Sequence, residues 1–247
     1  MKNWNTIFQT TNHFPYAMNK KQVLILGIGN VLWADEGFGV RCVEELNTHY
    51  CFPENITLMD GGTQGIYLVQ HVQACDILVV FDAIDYGLKG GEMKLIEDDD
   101  VPNFMGAKKM SLHQTGFQEV LSTAELLGDY PEKILLIGVQ PVELEDFGGS
   151  LRPAVKAQVK PAVEIALNYL KKLGIVFAKR TEPLPAAEAL SPSELALEQY
   201  EAGRPSEELA CRVGDDRILT ADNVKFDPKP SPIKTPLSVD VDHRGQY

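Results

Sequence analysis

The sequence is poor in positive charge. Lysine and arginine together number 23 against 35 aspartates and glutamates, which gives a formal net charge of -12. A chain with this balance lacks the basic surface that phosphate backbones and anionic membranes attract. We therefore predict neither nucleic acid nor a membrane surface as a partner.

Long apolar runs are also missing. The longest run, Ile77–Ala83, contains Asp82 and is far shorter than the ~20 residues that a membrane-spanning helix needs. The first residues lack the basic patch, apolar stretch and small-residue cleavage site of a secretory signal. These absences predict a cytoplasmic protein without membrane insertion.

Cysteine is scarce as well. The four cysteines, at positions 42, 51, 75 and 211, form no CxxC pair and show no spacing typical of zinc sites. We expect no disulfides in a cytoplasmic chain. Cys42 and Cys75 lie within apolar patterns, so we predict that both are buried as small hydrophobic residues.

Composition divides the 247 residues into three parts. Residues 1–21 form a polar leader, and residues 22–175 carry the strong periodic signals. Residues 176–247 form a C-terminal extension with 8 of the 15 prolines and few apolar positions. Because such a composition buries little apolar surface, we predict that the extension is flexible and that its last 60 or so residues are mobile.

The middle part alternates short apolar runs with amphipathic stretches. The runs lie at 23–29, 56–59, 77–81 and 134–139, and the helical patterns at 37–46, 115–127 and 153–173. This alternation predicts a parallel sheet covered by helices on both faces. Residues 92–97 alternate in polarity, which favours an antiparallel edge strand. The predicted fold is three-layer α/β/α, with a twisted, mainly parallel five-stranded sheet and a largely irregular C-terminal tail.

Three side chains are candidates for a site at one edge of this sheet. The working groups of an open parallel sheet lie beyond the carboxyl ends of its strands. Glu36 lies beyond the first strand, Asp82 ends the third apolar run, and His113 precedes the helix at 115–127. Two carboxylates and one imidazole suit zinc, nickel, cobalt or manganese better than calcium. Three such ligands leave positions open for water or substrate.

Each of these residues also has a purely structural explanation. Glu36 is an acid in the first turn of a helix, where it interacts favourably with the helix dipole. Asp82 is placed to cap the turn after its strand, and His113 to cap the next helix. It is their joint placement at one edge that favours a site.

A dinucleotide site is the competing interpretation of the first loop. Gly27-x-Gly29 follows a strand, and Asp60 ends the next one, where an acid binds ribose in such sites. Leu32 occupies the position of the third glycine, however, and would obstruct helix-to-strand packing. The acids at 35 and 36 place negative charge where a pyrophosphate needs a bare helix terminus.

Four motifs occur in a fixed order within residues 22–175. They are Gly-Ile-Gly-Asn-x-Leu-x-x-Asp-Glu-Gly-x-Gly-Val at 27–40, Asp-Gly-Gly-Thr at 60–63, Phe-Asp-Ala-Ile at 81–84 and Ser-x-His-Gln-x-Gly at 111–116. Together they resemble the maturation endopeptidases of nickel-iron hydrogenases. The family fold is a twisted, mainly parallel sheet between helices, which agrees with the fold predicted above.

The resemblance implies an endopeptidase that removes a short C-terminal peptide from the hydrogenase large-subunit precursor after nickel insertion. The family's metal-contacting Glu, Asp and His correspond to Glu36, Asp82 and His113, which the resemblance makes both catalytic and metal-contacting. The implied metal is nickel carried by the substrate, and other divalent metals suit the same ligands. The family is classed among aspartic peptidases, although a metal-activated water and a carboxylate base remain alternative mechanisms.

Asp60, Gly61, Gly62 and Thr63 are predicted to bind the substrate because they border the same strand ends. A turn that needs positive φ explains the two glycines equally well. The extension either docks on the core, recruits another maturation factor or is dispensable. The alternative function is a non-enzymatic nickel-binding accessory protein that recognises the metallated large subunit without cutting it.

Overall fold

The computed structural model describes residues 21–101, 112–185 and 188–204, except for the side chains of 112–116. All of these residues belong to one compact unit. Within the described residues, no helix combines the length and the apolar character that a bilayer span requires.

The elements alternate along the chain as the sequence predicts. The strands are β1 (Val23–Ile28), β2 (Tyr50–Cys51), β3 (Ile56–Gly62), β4 (Ile77–Ala83), β5 (Met93–Glu97), β6 (Lys133–Val139) and β7 (Ala178–Lys179). The α-helices are α1 (Phe38–His49), α2 (Val69–Gln73), α3 (Leu112–Leu127), α4 (Pro153–Lys156), α5 (Val159–Lys172) and α6 (Leu197–Ala202). Short 3-10 helices span Ala34–Gly37, Gly65–Leu68 and Ser193–Leu195.

Five strands form the main sheet in the order β3-β1-β4-β6-β5. Strands β3, β1, β4 and β6 are parallel, whereas β5 pairs antiparallel with β6. The predicted five-stranded sheet with one antiparallel edge strand is therefore confirmed. Strands β2 and β7 form a separate two-stranded antiparallel sheet.

Both faces of the sheet are covered, which explains why its central strands are continuously apolar. On one face, alternate strand residues pack against α1 and α5. On the other face, the intervening residues pack against α2 and α3. We call these the α1 face and the α3 face. Cys42 lies in the first cluster and Cys75 in the second, and both are buried free thiols, as predicted.

Three elements differ from the sequence-based prediction. The long helix expected over 153–173, with a kink at Pro161 as an alternative, is divided into α4 and α5, and the break precedes Pro161. Pro161 is the third residue of α5, where a backbone amide has no partner within the helix to lose. Strand β3 extends to Gly62, so the Asp-Gly-Gly cluster belongs to the strand and not to a turn after it. Helix α3 begins at Leu112, earlier than the expected 115.

The described part of the C-terminal extension contacts the α/β domain. We call residues 188–204 the C-terminal strap. The carboxylate of Glu201 accepts hydrogen bonds from Ser150 Oγ at 2.8 Å and from Lys156 Nζ at 2.6 Å. Arg41, which is buried in α1, donates to the carbonyl oxygen of Leu195 at 2.5 Å and lies over the ring of Tyr200. The mobility predicted for the last 60 or so residues covers this strap and residues 205–247, which lie outside the described residues, as does most of the leader, and it stays a prediction.

Candidate active site

The strand order reverses between β1 and β4. The chain leaves β1 towards β3 on one side of the sheet, and leaves β4 towards β5 and β6 on the other. A crevice forms at the carboxyl ends of parallel strands where connections diverge in this way. The 3-10 helix Ala34–Gly37, which follows β1, contacts β4. Glu36 lies on that helix and Asp82 lies near the end of β4, so the structure brings their two elements together.

The backbone is closely packed at this edge of the sheet. A Cβ atom at Gly39 would overlap the carbonyl oxygens of Phe81 and Ile28, at the ends of β4 and β1. A Cβ atom at Gly27 would overlap the carbonyl oxygen of Gly39. Only glycine permits such an approach between a helix and two strands. These glycines therefore set the start of α1 directly against the strand ends.

Gly29 fixes the loop that carries Glu36. Its φ is +132°, a conformation that other residues rarely adopt, and a Cβ atom there would overlap the carbonyl oxygen of Glu36. The backbone of Glu36 is thus packed directly against β1. Its side chain is partly exposed, whereas Asp82 is fully buried. The two candidate carboxylates therefore differ: that of Glu36 is accessible, and that of Asp82 lies in the interior.

Asp35 holds the same loop from the other side. It is fully buried, and its carboxylate accepts hydrogen bonds from the backbone amides of Val142 at 2.8 Å, Glu143 at 2.9 Å and Arg152 at 2.6 Å. Its own amide donates to the carbonyl oxygen of Glu143. Three amide donors satisfy a buried carboxylate without a cation. Asp35 therefore fastens the loop bearing Glu36 to the segment that follows β6.

Asp82 projects from the α3 face of the sheet, because Leu78 and Val80 on the same strand point to that face. Helix α3 covers this face and ends shortly before β6 begins at the amino edge of the sheet. Its 16 residues span about 24 Å, close to the length of β6, so its first turn lies at the carboxyl edge.

His113 is the second residue of α3, and the backbone therefore places it at the same edge and on the same face as Asp82. Its side chain lies outside the described residues. Within the residues whose side chains are described, no three His, Cys, Asp or Glu residues form a group that could hold a metal. Because the side chain of His113 is not among them, the ligand set of Glu36, Asp82 and His113 stays a prediction.

Asp60 projects from the α1 face, opposite to Asp82, because Ile56 and Leu58 on the same strand point to the α1 face. Its Oδ1 accepts a hydrogen bond from the amide of Gly62 at 2.9 Å, and Ser191 of the strap donates another. Burial raises the pKa of the Asp60 carboxyl, and the charge of nearby Glu44 acts in the same direction. Asp60 thus joins β3 to the strap.

The other residues predicted to bind the substrate are two glycines with backbone roles and one exposed threonine. Gly62 has a φ of +47°, and a Cβ atom at Gly61 would press on the side chain of Leu26. The side chain of Thr63 is exposed. Backbone geometry thus accounts for the two glycines, and substrate binding by residues 60–63 stays a prediction.

Sequence reasoning missed Tyr86, which lies beside Asp82, and Gln140, which holds the loop of Tyr86. Gln140 is buried directly after β6. Its Oε1 accepts hydrogen bonds from the backbone amides of Tyr86 at 2.8 Å and Leu88 at 3.1 Å. It holds the loop after β4, which places the phenolic oxygen of Tyr86 against Gly138. The available signal was Gly138 itself, because a glycine inside an apolar strand often marks a close approach.

Comparison with known proteins gives the family context of this arrangement. A family model described as hydrogenase maturation protease matches residues 40–169. The hydrogenase expression/formation protein HupD of Thiocapsa roseopersicina is 60% identical over 200 residues, which cover 81% of this chain and 90% of that protein. HoxM of Azotobacter vinelandii is 63% identical over 202 residues, which cover 82% of this chain and 96% of that protein.

A solved structure resembles the α/β domain. The hydrogenase maturating endopeptidase HybD from Escherichia coli superimposes with a TM-score of 0.62 and 37% sequence identity. The match covers 65% of this chain and 98% of HybD. The present chain is therefore much longer than HybD, and its matches to HupD and HoxM include a larger share of its residues.

Proposed function

The chain belongs to the hydrogenase maturation proteases, and from this premise we propose that it removes a short C-terminal peptide from the large-subunit precursor of a nickel-iron hydrogenase after nickel insertion. The observation that carries the proposal is the reversal of strand order between β1 and β4, where the 3-10 helix of Glu36 contacts the strand of Asp82. Ligands and substrates bind at such a position in open parallel sheets.

In this proposal the metal belongs to the substrate. Glu36 and Asp82 contribute carboxylate oxygens, and His113 contributes an imidazole nitrogen, to open positions on the nickel of the precursor. Mixed oxygen and nitrogen ligands are suited to a borderline divalent ion. The burial of Asp82 supports this role, because a carboxylate removed from water attracts a cation more strongly than one on the surface.

This arrangement makes nickel insertion the condition for cleavage. A precursor without nickel offers no metal for the three side chains to contact, so its scissile bond is not fixed in the crevice. A loaded precursor is anchored beside the cluster, where the metal or a carboxylate base activates the attacking water. A carboxylate base would make the protein an aspartic-type peptidase, whereas a metal-activated water would not.

Intact-mass spectrometry tests the proposal. A C-terminally extended large subunit, loaded with nickel or free of metal, is incubated with the wild-type protein or with the Glu36→Gln variant. We expect the mass of the peptide to be lost only from the loaded substrate and only with the wild-type protein. Glu54→Gln is the matched control, since Glu54 is exposed before β3 at the opposite edge of the sheet, and it should cleave normally.

Two outcomes would contradict the proposal. Normal cleavage by Glu36→Gln would remove Glu36 from the mechanism. A folded wild-type protein that binds the loaded substrate and leaves its mass unchanged would instead be a nickel-recognising accessory protein.

A further inference from the structure

A buried phenol lies beside the proposed site. Tyr86 follows β4, and its ring packs with the hydrophobic cluster of the α3 face. Its phenolic oxygen is buried, and it has no hydrogen-bond partner within the part of the chain that the structure describes. Buried hydroxyl groups are nearly always hydrogen-bonded in folded proteins, so this exception needs an explanation.

The sheet register places this hydroxyl next to Asp82. Gly138 on β6 pairs with Asp82 on β4. Paired residues on neighbouring parallel strands point to the same face, about 4.8 Å apart. A Cβ atom at Gly138 would overlap the phenolic oxygen of Tyr86. The hydroxyl therefore occupies the space beside Asp82 that a side chain at position 138 would otherwise fill.

The hydroxyl is suited to be a donor. Burial raises the pKa of Tyr86 well above its ordinary value, and the negative charge of Asp82 raises it further. A protonated phenol beside a carboxylate is a hydrogen-bond donor next to its natural acceptor.

Contacts at both ends hold Tyr86 in place. Its backbone amide donates to Gln140 Oε1 at 2.8 Å. The Nζ atom of Lys94 lies over its ring, 5.1 Å from the centroid. A side chain fixed at its backbone and at its ring keeps its hydroxyl in one position, which is what a supporting group for a metal ligand requires.

We propose that Tyr86 is a positioning residue whose hydroxyl donates a hydrogen bond to the Asp82 carboxylate when the substrate's nickel is engaged. The inference rests on the proposed function. The phenol holds one carboxylate oxygen and leaves the other to face the metal. Groups that hydrogen-bond a ligating carboxylate orient it in this way. Gly138 is glycine because any larger residue would displace the phenol.

The Tyr86→Phe variant tests this role, since it removes only the hydroxyl. We expect kcat for cleavage of a nickel-loaded large-subunit precursor to fall about 10-fold with KM unchanged. The unfolding temperature should stay the same or rise, because the hydroxyl removed makes no hydrogen bond within the described residues. Gly138→Ala should reproduce the loss of kcat by pushing the ring away.

Tyr130→Phe is the matched control. Tyr130 also has a buried phenolic oxygen without a hydrogen-bond partner among the described residues, but it precedes β6 at the amino edge of the sheet. Its variant should cleave at the wild-type rate. An equal loss of kcat in both variants would show a general effect of removing a buried hydroxyl and would overturn the proposal.

A double-mutant cycle separates positioning from a merely structural effect. In single-turnover experiments with the Asp82→Asn variant, the additional Tyr86→Phe change should have no further effect, because its target carboxylate is gone. Additive losses would overturn the proposal. So would wild-type kcat in Tyr86→Phe while Asp82→Asn is impaired, although the proposed function would then stand. A wild-type protein that cuts no loaded precursor would refute the proposed function itself.

Discussion

The two edges of the main sheet differ in where their charged side chains lie. At the amino edge, Lys21 pairs with Glu132, and Lys133 pairs with Asp98 at 2.6 Å, with side chains that are 48% and 34% exposed. At the carboxyl edge, Asp35 and Asp82 are fully buried. Surface pairs contribute little and are easily replaced, whereas a buried carboxylate is costly unless it is well compensated. The acids of the amino edge thus form exposed ion pairs, whereas two acids of the carboxyl edge lie in the interior.

The sharpest test of this contrast compares one aspartate from each edge. Asp82→Asn should lower the rate of precursor cleavage about 100-fold or more, because even residues that only support a metal ligand change activity by about 10- to 100-fold. Asp76→Asn, at the amino edge, loses a carboxylate that accepts a hydrogen bond from the backbone amide of Gln22 at 2.6 Å. It should change stability by about 1 kcal/mol and leave cleavage unaffected.

Mass spectrometry of single-turnover reactions measures the first effect, and urea unfolding measures the second. Equal cleavage by the two variants would remove the functional distinction between the edges.

Glycine substitutions extend the comparison to the backbone. Gly39→Ala should destabilise the protein by about 3 kcal/mol and abolish cleavage, because its Cβ atom would overlap carbonyl oxygens of β1 and β4. The control is Gly128→Ala after α3. Gly128 has a φ of +88° but open space around its Cβ position, so its substitution should cost about 1 kcal/mol and spare cleavage. A Gly39→Ala protein with wild-type unfolding in urea would show that the close packing is dispensable.

The third prediction concerns Asp35. Asp35→Asn replaces a carboxylate oxygen with an amide donor that faces backbone amides, so we expect a loss of about 2 kcal/mol in unfolding free energy. Cleavage should fall as well, since the loop carrying Glu36 loses its attachment. The readout is urea unfolding together with kcat. A variant that loses stability but keeps full kcat would limit Asp35 to a structural role.

The smallest expected effects are on the pH dependence of the free energy of unfolding. Asp98 at the amino edge and Asp60 at the carboxyl edge should change it in opposite directions. Partial burial opposes ionisation of Asp98, but hydrogen bonds from Lys133 and Ile134 lower its pKa overall. Its stabilising contribution is present above its unfolded pKa of about 4 and is lost as the pH falls through the lower folded value. Burial raises the pKa of Asp60, so its contribution is present below about pH 4 and is lost as the pH rises through the higher folded value.

Urea unfolding between about pH 3 and pH 7 checks these signs. Relative to the wild-type protein, Asp98→Asn should be less stable at neutral pH. The stability of Asp60→Asn should change less as the pH rises through the upper part of that range. If both variants change stability with the same pH dependence, the assignment of opposite pKa shifts is wrong.

The sequence was sufficient to predict the layered fold. The uninterrupted apolar run of β4 and the alternation of β5 identified a parallel strand and an antiparallel edge strand, because burial on both faces or on one face leaves a distinct pattern. The edge that carries Glu36 and Asp82 followed from the general rule for parallel sheets. These features depend on local patterning, which a single sequence contains.

Contacts that depend on register between distant segments were not predictable. The placement of Asp60 and Asp82 on opposite faces, and of Tyr86 against Gly138, requires the alignment of β3, β4 and β6. The strap is held by hydrogen bonds such as Ser150 to Glu201, whose partners show no pattern along the chain. A polar, proline-containing segment can dock through such bonds although its sequence has no apolar periodicity that would predict the contact.

The hydrogen bonds of Asp35 also set an order in which this edge of the sheet can be assembled. Its acceptor oxygens bind amides that lie 107 to 117 positions later in the chain. Translation proceeds from the N-terminus, so the loop of Glu36 emerges from the ribosome long before its anchoring segment has been synthesised. A nascent or prematurely terminated chain therefore contains the loop of Glu36 without the segment at 142–152 that anchors it.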